Sequence, residues 1–166
     1  MKQTSLVLLC CALCLLAVMP AQAFVAKSLT ITLEENGDAQ IDMQYELTFV
    51  EQTAVFLRIA DPADELKSAF ESNSHRPVTV TRATSSSATV IVPAFATIHE
   101  GNGKHTIVTP PVSFEKAQAV INNYWFAPIV SPDFSPEITT VIFPDGFSAT
   151  FDNVLSLPPI SRPVFY

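Results

Sequence analysis

The sequence predicts an α+β domain: a mainly antiparallel β-sheet of roughly six to eight strands in hairpins, with two or three short helices. Three observations predict it. Apolar and polar residues alternate with period two in several stretches, which turns one side of each towards a core. Turn-forming residues separate those stretches at hairpin spacing. Helix-start signals are sparse, and no regular alternation of strand and helix runs along the chain, which removes the parallel βαβ folds.

The elements follow in order. Val25 to Leu33 reads as a strand, with Leu29, Ile31 and Leu33 alternating with Ser28, Thr30 and Thr32. Glu34-Glu35-Asn36-Gly37-Asp38 is a turn in which Asn-Gly supplies positive φ. Ile41, Met43, Tyr45, Leu47 and Phe49 then alternate with polar residues, the cleanest period-two stretch of the chain. At Asp61-Pro62-Ala63-Asp64-Glu65 a cap, a first-turn proline and two acids favourable to the helix dipole start a helix expected to end near Asn73. Glu51 to Ala60 leans towards a short helix. Val78 to Ala83 and Ala88 to Val92 flank a serine turn, and Phe95–His99 and Lys104–Val108 flank a tip at Glu100-Gly101-Asn102-Gly103. Ser113 is positioned to cap a helix carrying Phe114, Ala117, Val120 and Ile121. Ile138 to Phe143, a Pro144-Asp145-Gly146 turn and Phe147 to Phe151 complete a last hairpin.

The N-terminus carries an address. Lys2 precedes an uncharged apolar run from Leu6 to Met19, and Pro20 and Ala21-Gln22-Ala23 supply a cleavage region with small residues at −3 and −1. The expected division is a signal peptide over residues 1–23 and a single exported α+β domain over residues 24–166. An uncleaved anchor from Leu6 to Ala26 is the alternative. Cys10, Cys11 and Cys14 all lie in the apolar run, so the expected mature chain has neither disulfides nor thiolates. No cysteine follows a small residue at the end of the run, as lipidation would require. Without Lys2, eight basic and sixteen acidic residues remain, a charge of −8. Such a chain lacks the clustered lysines and arginines with which proteins displace counterions from nucleic acid. No further apolar run has membrane length, so no span is expected after cleavage.

The residues that carry chemistry form no recognised motif. His99, Glu100 and His105 flank a hairpin tip and are weighed as zinc ligands, but their spacing fits no zinc pattern; His75 stands apart. Glu34, Glu35, Asp38 and Asp42 surround one turn without the spacing of a calcium loop. Asp133, Glu137 and Asp145 are the carboxylates from which a glycosidase-like acid and base would be drawn. There is no nucleophile elbow and no phosphate loop. No catalytic residue, metal ligand or cofactor is therefore assigned.

Aromatic clustering is the most unusual feature. Tyr124, Trp125 and Phe126 are consecutive, and Phe134, Phe143, Phe147 and Phe151 follow. Alternation along a strand sends Trp125 to the side opposite Tyr124 and Phe126. Burial is expected for Trp125, which leaves Tyr124, Phe126 and Phe134 as candidate partner-binding residues. Glu35-Asn36-Gly37-Asp38-Ala39 before a tyrosine-centred strand resembles exported archaeal domains of unknown function, notably from methanogens. So do Ala54-Val55-Phe56-Leu57-Arg58-Ile59-Ala60-Asp61-Pro62, and Trp125-Phe126-Ala127-Pro128 with Asp133-Phe134-Ser135-Pro136. The resemblance implies a location outside the membrane and transfers no catalytic residue. The resulting expectation is a secreted or cell-surface module of binding or structural character, leaning away from an enzyme, whose partner is an unknown protein or cell-envelope component. A secreted carboxylate-dependent hydrolase is the alternative.

Overall fold

A computed structural model describes residues 25–46, 67, 71, 77–101, 104–123 and 133–164. The first hairpin forms as the alternation demands. Strand β1 (Val25–Leu33) pairs antiparallel with β2 (Ala39–Glu46), with Leu33 opposite Ala39 and Ile31 opposite Ile41. Ile41, Met43 and Tyr45 are buried, while Gln40, Gln44 and Glu46 are exposed. Ala26 and Leu29 are both buried although three positions apart, which simple alternation forbids. An irregularity between Ala26 and Ser28 resolves the conflict by inserting one residue, Lys27, into the strand.

The turn closes through Gly37 N–H to the Glu34 carbonyl at 3.0 Å and Glu34 N–H to the Asp38 carbonyl at 2.9 Å. Gly37 has φ +86° and lies against the loop over residues 93–96, whose Ala96 N–H donates to the Gly37 carbonyl at 2.8 Å.

Strands β3 (Thr79–Ala83), β4 (Ser87–Val92), β8 (Ile138–Ile142) and β9 (Ser148–Asp152) complete a six-stranded sheet of order β3-β4-β2-β1-β8-β9. Every pairing is antiparallel except β1 with β8, which run parallel with Thr30 opposite Thr140. That contact joins two hairpins far apart in the chain, and nothing in the local pattern of either announces it. Strand β3 has an irregularity between Val80 and Arg82, which interrupts strict alternation of its two sides.

The inner face of this sheet is covered by shorter elements. Strands β5 (Thr97–Gly101), β6 (Lys104–Val108) and β11 (Ser161–Val164) form a three-stranded sheet of order β11-β6-β5. Strands β7 (Val112–Ser113) and β10 (Ser156–Leu157) form a two-residue pair. Ile31 and Val141 of the large sheet meet Phe95, Val112, Leu157 and Ile160 around an apolar cavity of about 10 Å³. The buried residues form one core, from Leu29 and Ile41 through Val90 to Ile107, Phe114 and Val164.

The fold is thus β-rich and dominated by antiparallel sheets, as expected, but among the described residues it has eleven strands in three sheets in place of six to eight in one. The strands missed are β7, β10 and β11, which are short or proline-bearing and stand only because a partner strand lies beside them. The expectation of two or three helices also needs correction. Among the described residues one helix is delimited, α1 (Glu115–Asn122), where the Ser113 hydroxyl accepts from Glu115 N–H at 3.3 Å. Lys67 and Glu71 are helical and form an i,i+4 ion pair of 3.9 Å, whereas the expected helix start at residues 61–65 and the helix at residues 51–60 lie outside the described residues.

One core position is polar. Thr139 is 0% exposed, opposite Leu29 and Phe151, and its hydroxyl has no hydrogen-bond partner among the described residues. An unpaired buried hydroxyl costs more than the methyl that would replace it. Thr139→Val should therefore raise stability by about 1 kcal/mol in urea denaturation; a destabilised variant would show that the hydroxyl has a partner.

Candidate binding surface

The residues weighed for catalysis are dispersed and engaged. Asp133 accepts from Ser135 N–H at 2.8 Å, closing a local turn. Glu137 binds Lys27 at 2.8 Å, and Asp145 binds Arg162 at 2.9 Å. Glu137 and Asp145 stand at opposite ends of β8, whose five residues span roughly 16 Å at about 3.3 Å each. Glycosidase carboxyl pairs lie within about 9.5 Å. Asp133 and Glu137 do lie at the same end, beside Val25 and Ala26 respectively, but both are exposed.

The histidine pair is separated by register. His99 is opposite Thr106, and His105 is opposite Glu100. Neighbours along a strand face opposite ways, so His105 shares a side with Glu100 and His99 points to the other. His75 lies outside the described residues. In the acidic turn, Asp38 accepts from Ala94 N–H at 2.7 Å and from Asn36 at 2.9 Å, which fastens the turn to the β4–β5 loop. Asp42 sits on the sheet instead, accepting from Thr89 at 2.7 Å and Gln40 at 2.8 Å. Among the described residues no three metal-ligating side chains cluster.

Of the aromatic segment, Tyr124, Trp125 and Phe126 lie outside the described residues. Phe134 is half-buried against the core, and its backbone N–H donates to the Gln118 side chain at 2.9 Å, which ties α1 to the entry of β8. Phe143 is buried, while Phe147 is 38% exposed.

Among the described residues the six-stranded sheet presents an outer face turned away from the core. Its middle row, read across the register, is Arg82, Thr89, Asp42, Thr30, Thr140 and Thr150. One flanking row is Thr79, Ile91, Gln40, Thr32, Ile142 and Ser148, and the other is Ser87, Gln44, Ser28, Ile138 and Asp152. None of these residues is buried. Short hydroxyl and amide side chains dominate, with few charges. The outward turn of Ser28, Thr30, Thr32, Asp42 and Gln44 was legible from alternation; that of Arg82, beyond the β3 irregularity, and of the apolar Ile91, Ile138 and Ile142 was not, and the assembly into rows depends on the strand order, which the sequence did not disclose.

At the rim, Arg162 clasps the last hairpin. Its guanidinium lies 4.1 Å from the centroid of the Phe147 ring and 2.9 Å from the Asp145 carboxylate. The hydrogen bond from Phe147 N–H, then Arg162, holds the Asp145 carboxyl below the ordinary carboxylate value. A carboxylate with a depressed folded-state pKa stabilises the fold above its unfolded pKa and loses that stabilisation as pH falls through the folded value. The difference in melting temperature between the parent chain and Arg162→Ala should therefore be constant near neutrality and shrink below about pH 4. A difference unchanged down to pH 2 would place the contribution of Arg162 in its contact with the ring alone.

Compared with protein-family models, with curated proteins and with solved structures, the chain finds no match in any of the three. Among the described residues no helix is long and apolar enough to cross a membrane.

Proposed function

We propose that the chain is an exported module of the cell surface or extracellular space that acts by binding or by structural association, without catalysis of its own. The observation that carries this reading is the outer face of the six-stranded sheet, a surface of mainly hydroxyl and amide groups none of which is buried, while the core of the described residues lies on the other side. The apolar run before Ala21-Gln22-Ala23 supports export. The resemblance to exported archaeal domains points the same way. Engagement of Asp133, Glu137 and Asp145 in a turn and two ion pairs favours structural roles for them over acid and base chemistry. The partner in this reading is a protein or cell-envelope component.

Mass spectrometry of the chain recovered from an exporting host tests the first half. The expected N-terminus is Phe24; an intact Met1 or Lys2 terminus on membrane-embedded material would replace the signal peptide by an anchor. Binding of envelope fractions by the parent chain but not by Thr30→Lys or Thr140→Lys, both on the central strands of the face, tests the second. Equal binding by all three would remove the sheet face from the reading.

A further inference from the structure

The edges of the three sheets are not equally protected. An unpaired edge presents backbone donors and acceptors to any other strand, and proteins blunt such edges with bulges, charges, prolines or brevity. Strand β3 has its irregularity and Arg82. Strand β5 carries His99 and Glu100, and β11 carries Pro163. Strands β7 and β10 are two residues long. Strand β9, Ser148-Ala149-Thr150-Phe151-Asp152, has an unbroken register with β8 and neither bulge nor proline. Its single charge, Asp152, is at one end. Among the described residues β9 pairs only with β8.

The hydrogen-bond phase of that edge is fixed by the two ends of the hairpin. Phe143 N–H donates to the Phe147 carbonyl at 2.8 Å, and Asn153 N–H donates to the Glu137 carbonyl at 3.2 Å. Hydrogen-bonded pairs alternate along an antiparallel ladder. Ala149 and Phe151 therefore bond inward to β8, and Ser148, Thr150 and Asp152 turn their N–H and C=O groups to the open side. Of the large apolar side chains exposed among the described residues, Phe147 directly precedes this edge at Ser148, and Ile138 lies one strand in, opposite Asp152.

We infer that β9 is a self-association edge, at which two copies of this chain pair antiparallel about a two-fold axis at Thr150. In that register Thr150 faces Thr150 of the other copy, and each Ser148 faces the other copy's Asp152. All three outward-facing residues of each strand then exchange N–H···O bonds. The two Asp152 carboxylates lie at opposite ends of the paired strands, so no like charges meet. The six-stranded sheets join into one of twelve strands, and their hydroxyl-rich outer faces become continuous. A two-fold, isologous contact of this kind closes on itself and leaves only the blunted β3 edges at the two ends of the joined sheet.

Sedimentation of the purified exported chain from ~1 to ~500 µM is the test, with Thr150→Pro and Thr150→Lys beside the parent. Proline removes the outward N–H at an edge position that tolerates it, and lysine sets two ammonium groups against each other. The parent should pass from monomer to dimer, and both variants should weaken the dimer at least about tenfold while keeping the monomer's melting temperature. Hydrogen exchange supplies a second readout. The amides of Ser148, Thr150 and Asp152 should gain protection with concentration, whereas those of Ala149 and Phe151 are protected throughout. A monomer over the whole range overturns the inference. So does a dimer indifferent to both variants, or one in which those three amides exchange as fast as in the monomer.

Discussion

Phe143→Ala should destabilise the protein by about 3–5 kcal/mol, measured by urea denaturation. Phe143 directly follows β8 and is 1% exposed, among the largest fully buried side chains of the core. Its backbone closes the last turn, with its N–H bonded to Phe147 and its carbonyl accepting from Gly146 N–H at 2.9 Å. Truncation leaves those bonds in place, so the loss is that of the ring and the cavity it vacates. Against a typical total of about 5–15 kcal/mol, such a loss is a large fraction of the stability. Phe147 is the internal comparison, because its ring centroid lies only 5.8 Å from that of Phe143 but is capped by Arg162 at the surface. Its truncation should cost about 1 kcal/mol. Equal costs for the two would mean that the turn, and not burial, sets the energetics of this corner.

The second large effect is expected at Gly37. Two glycines have nearly the same backbone, Gly37 at φ +86° and Gly146 at φ +83°. A Cβ on Gly146 would meet nothing within 4 Å, so Gly146→Ala should cost only the left-handed strain of about 1–2 kcal/mol. A Cβ on Gly37 would stand 2.7 Å from the Ala96 carbonyl oxygen, a backbone atom that cannot swing aside. Relief requires the β1–β2 turn to withdraw from the β4–β5 loop, lengthening the bond from Ala96 N–H to the Gly37 carbonyl and the one from Ala94 N–H to Asp38. Gly37→Ala should therefore cost at least about 3 kcal/mol, strain and lost hydrogen bonds together. Thermal or urea melts of the two variants side by side decide it, since backbone strain is common to both. A Gly37→Ala variant no worse than Gly146→Ala would show that the two loops do not touch.

The alternation in β2 was legible residue by residue, because one side of that strand is core and the other solvent. The first and last hairpins were legible too, since turn chemistry at Asn36-Gly37 and Pro144-Asp145-Gly146 fixes them within a few residues. The bulge at Lys27 was not, because an extra residue is recognised only from the side chains that must both be buried. The candidate site followed the same division. Which residues point outward is a local property of a strand without a bulge, whereas the rows of the outer face are a property of strand order. The separation of His99 from His105 has a related cause: closeness along a hairpin says nothing about the side until the register is known.

Local physical chemistry by itself determined much of this protein: eight of its described strands and the turns between them, the apolar and polar sides of β2, and its acidic charge. Those features arise from side-chain periodicity, backbone preferences and composition, which act over a few residues. Tertiary structure alone decided that β8 lies parallel beside β1, that β11 completes a second sheet, that Arg162 meets Asp145 and Phe147, and that β9 is left as the unblunted edge. Each of these joins residues far apart in the chain. Such contacts form only when burial of the whole core outweighs the entropy of closing long loops, a balance that no single segment carries.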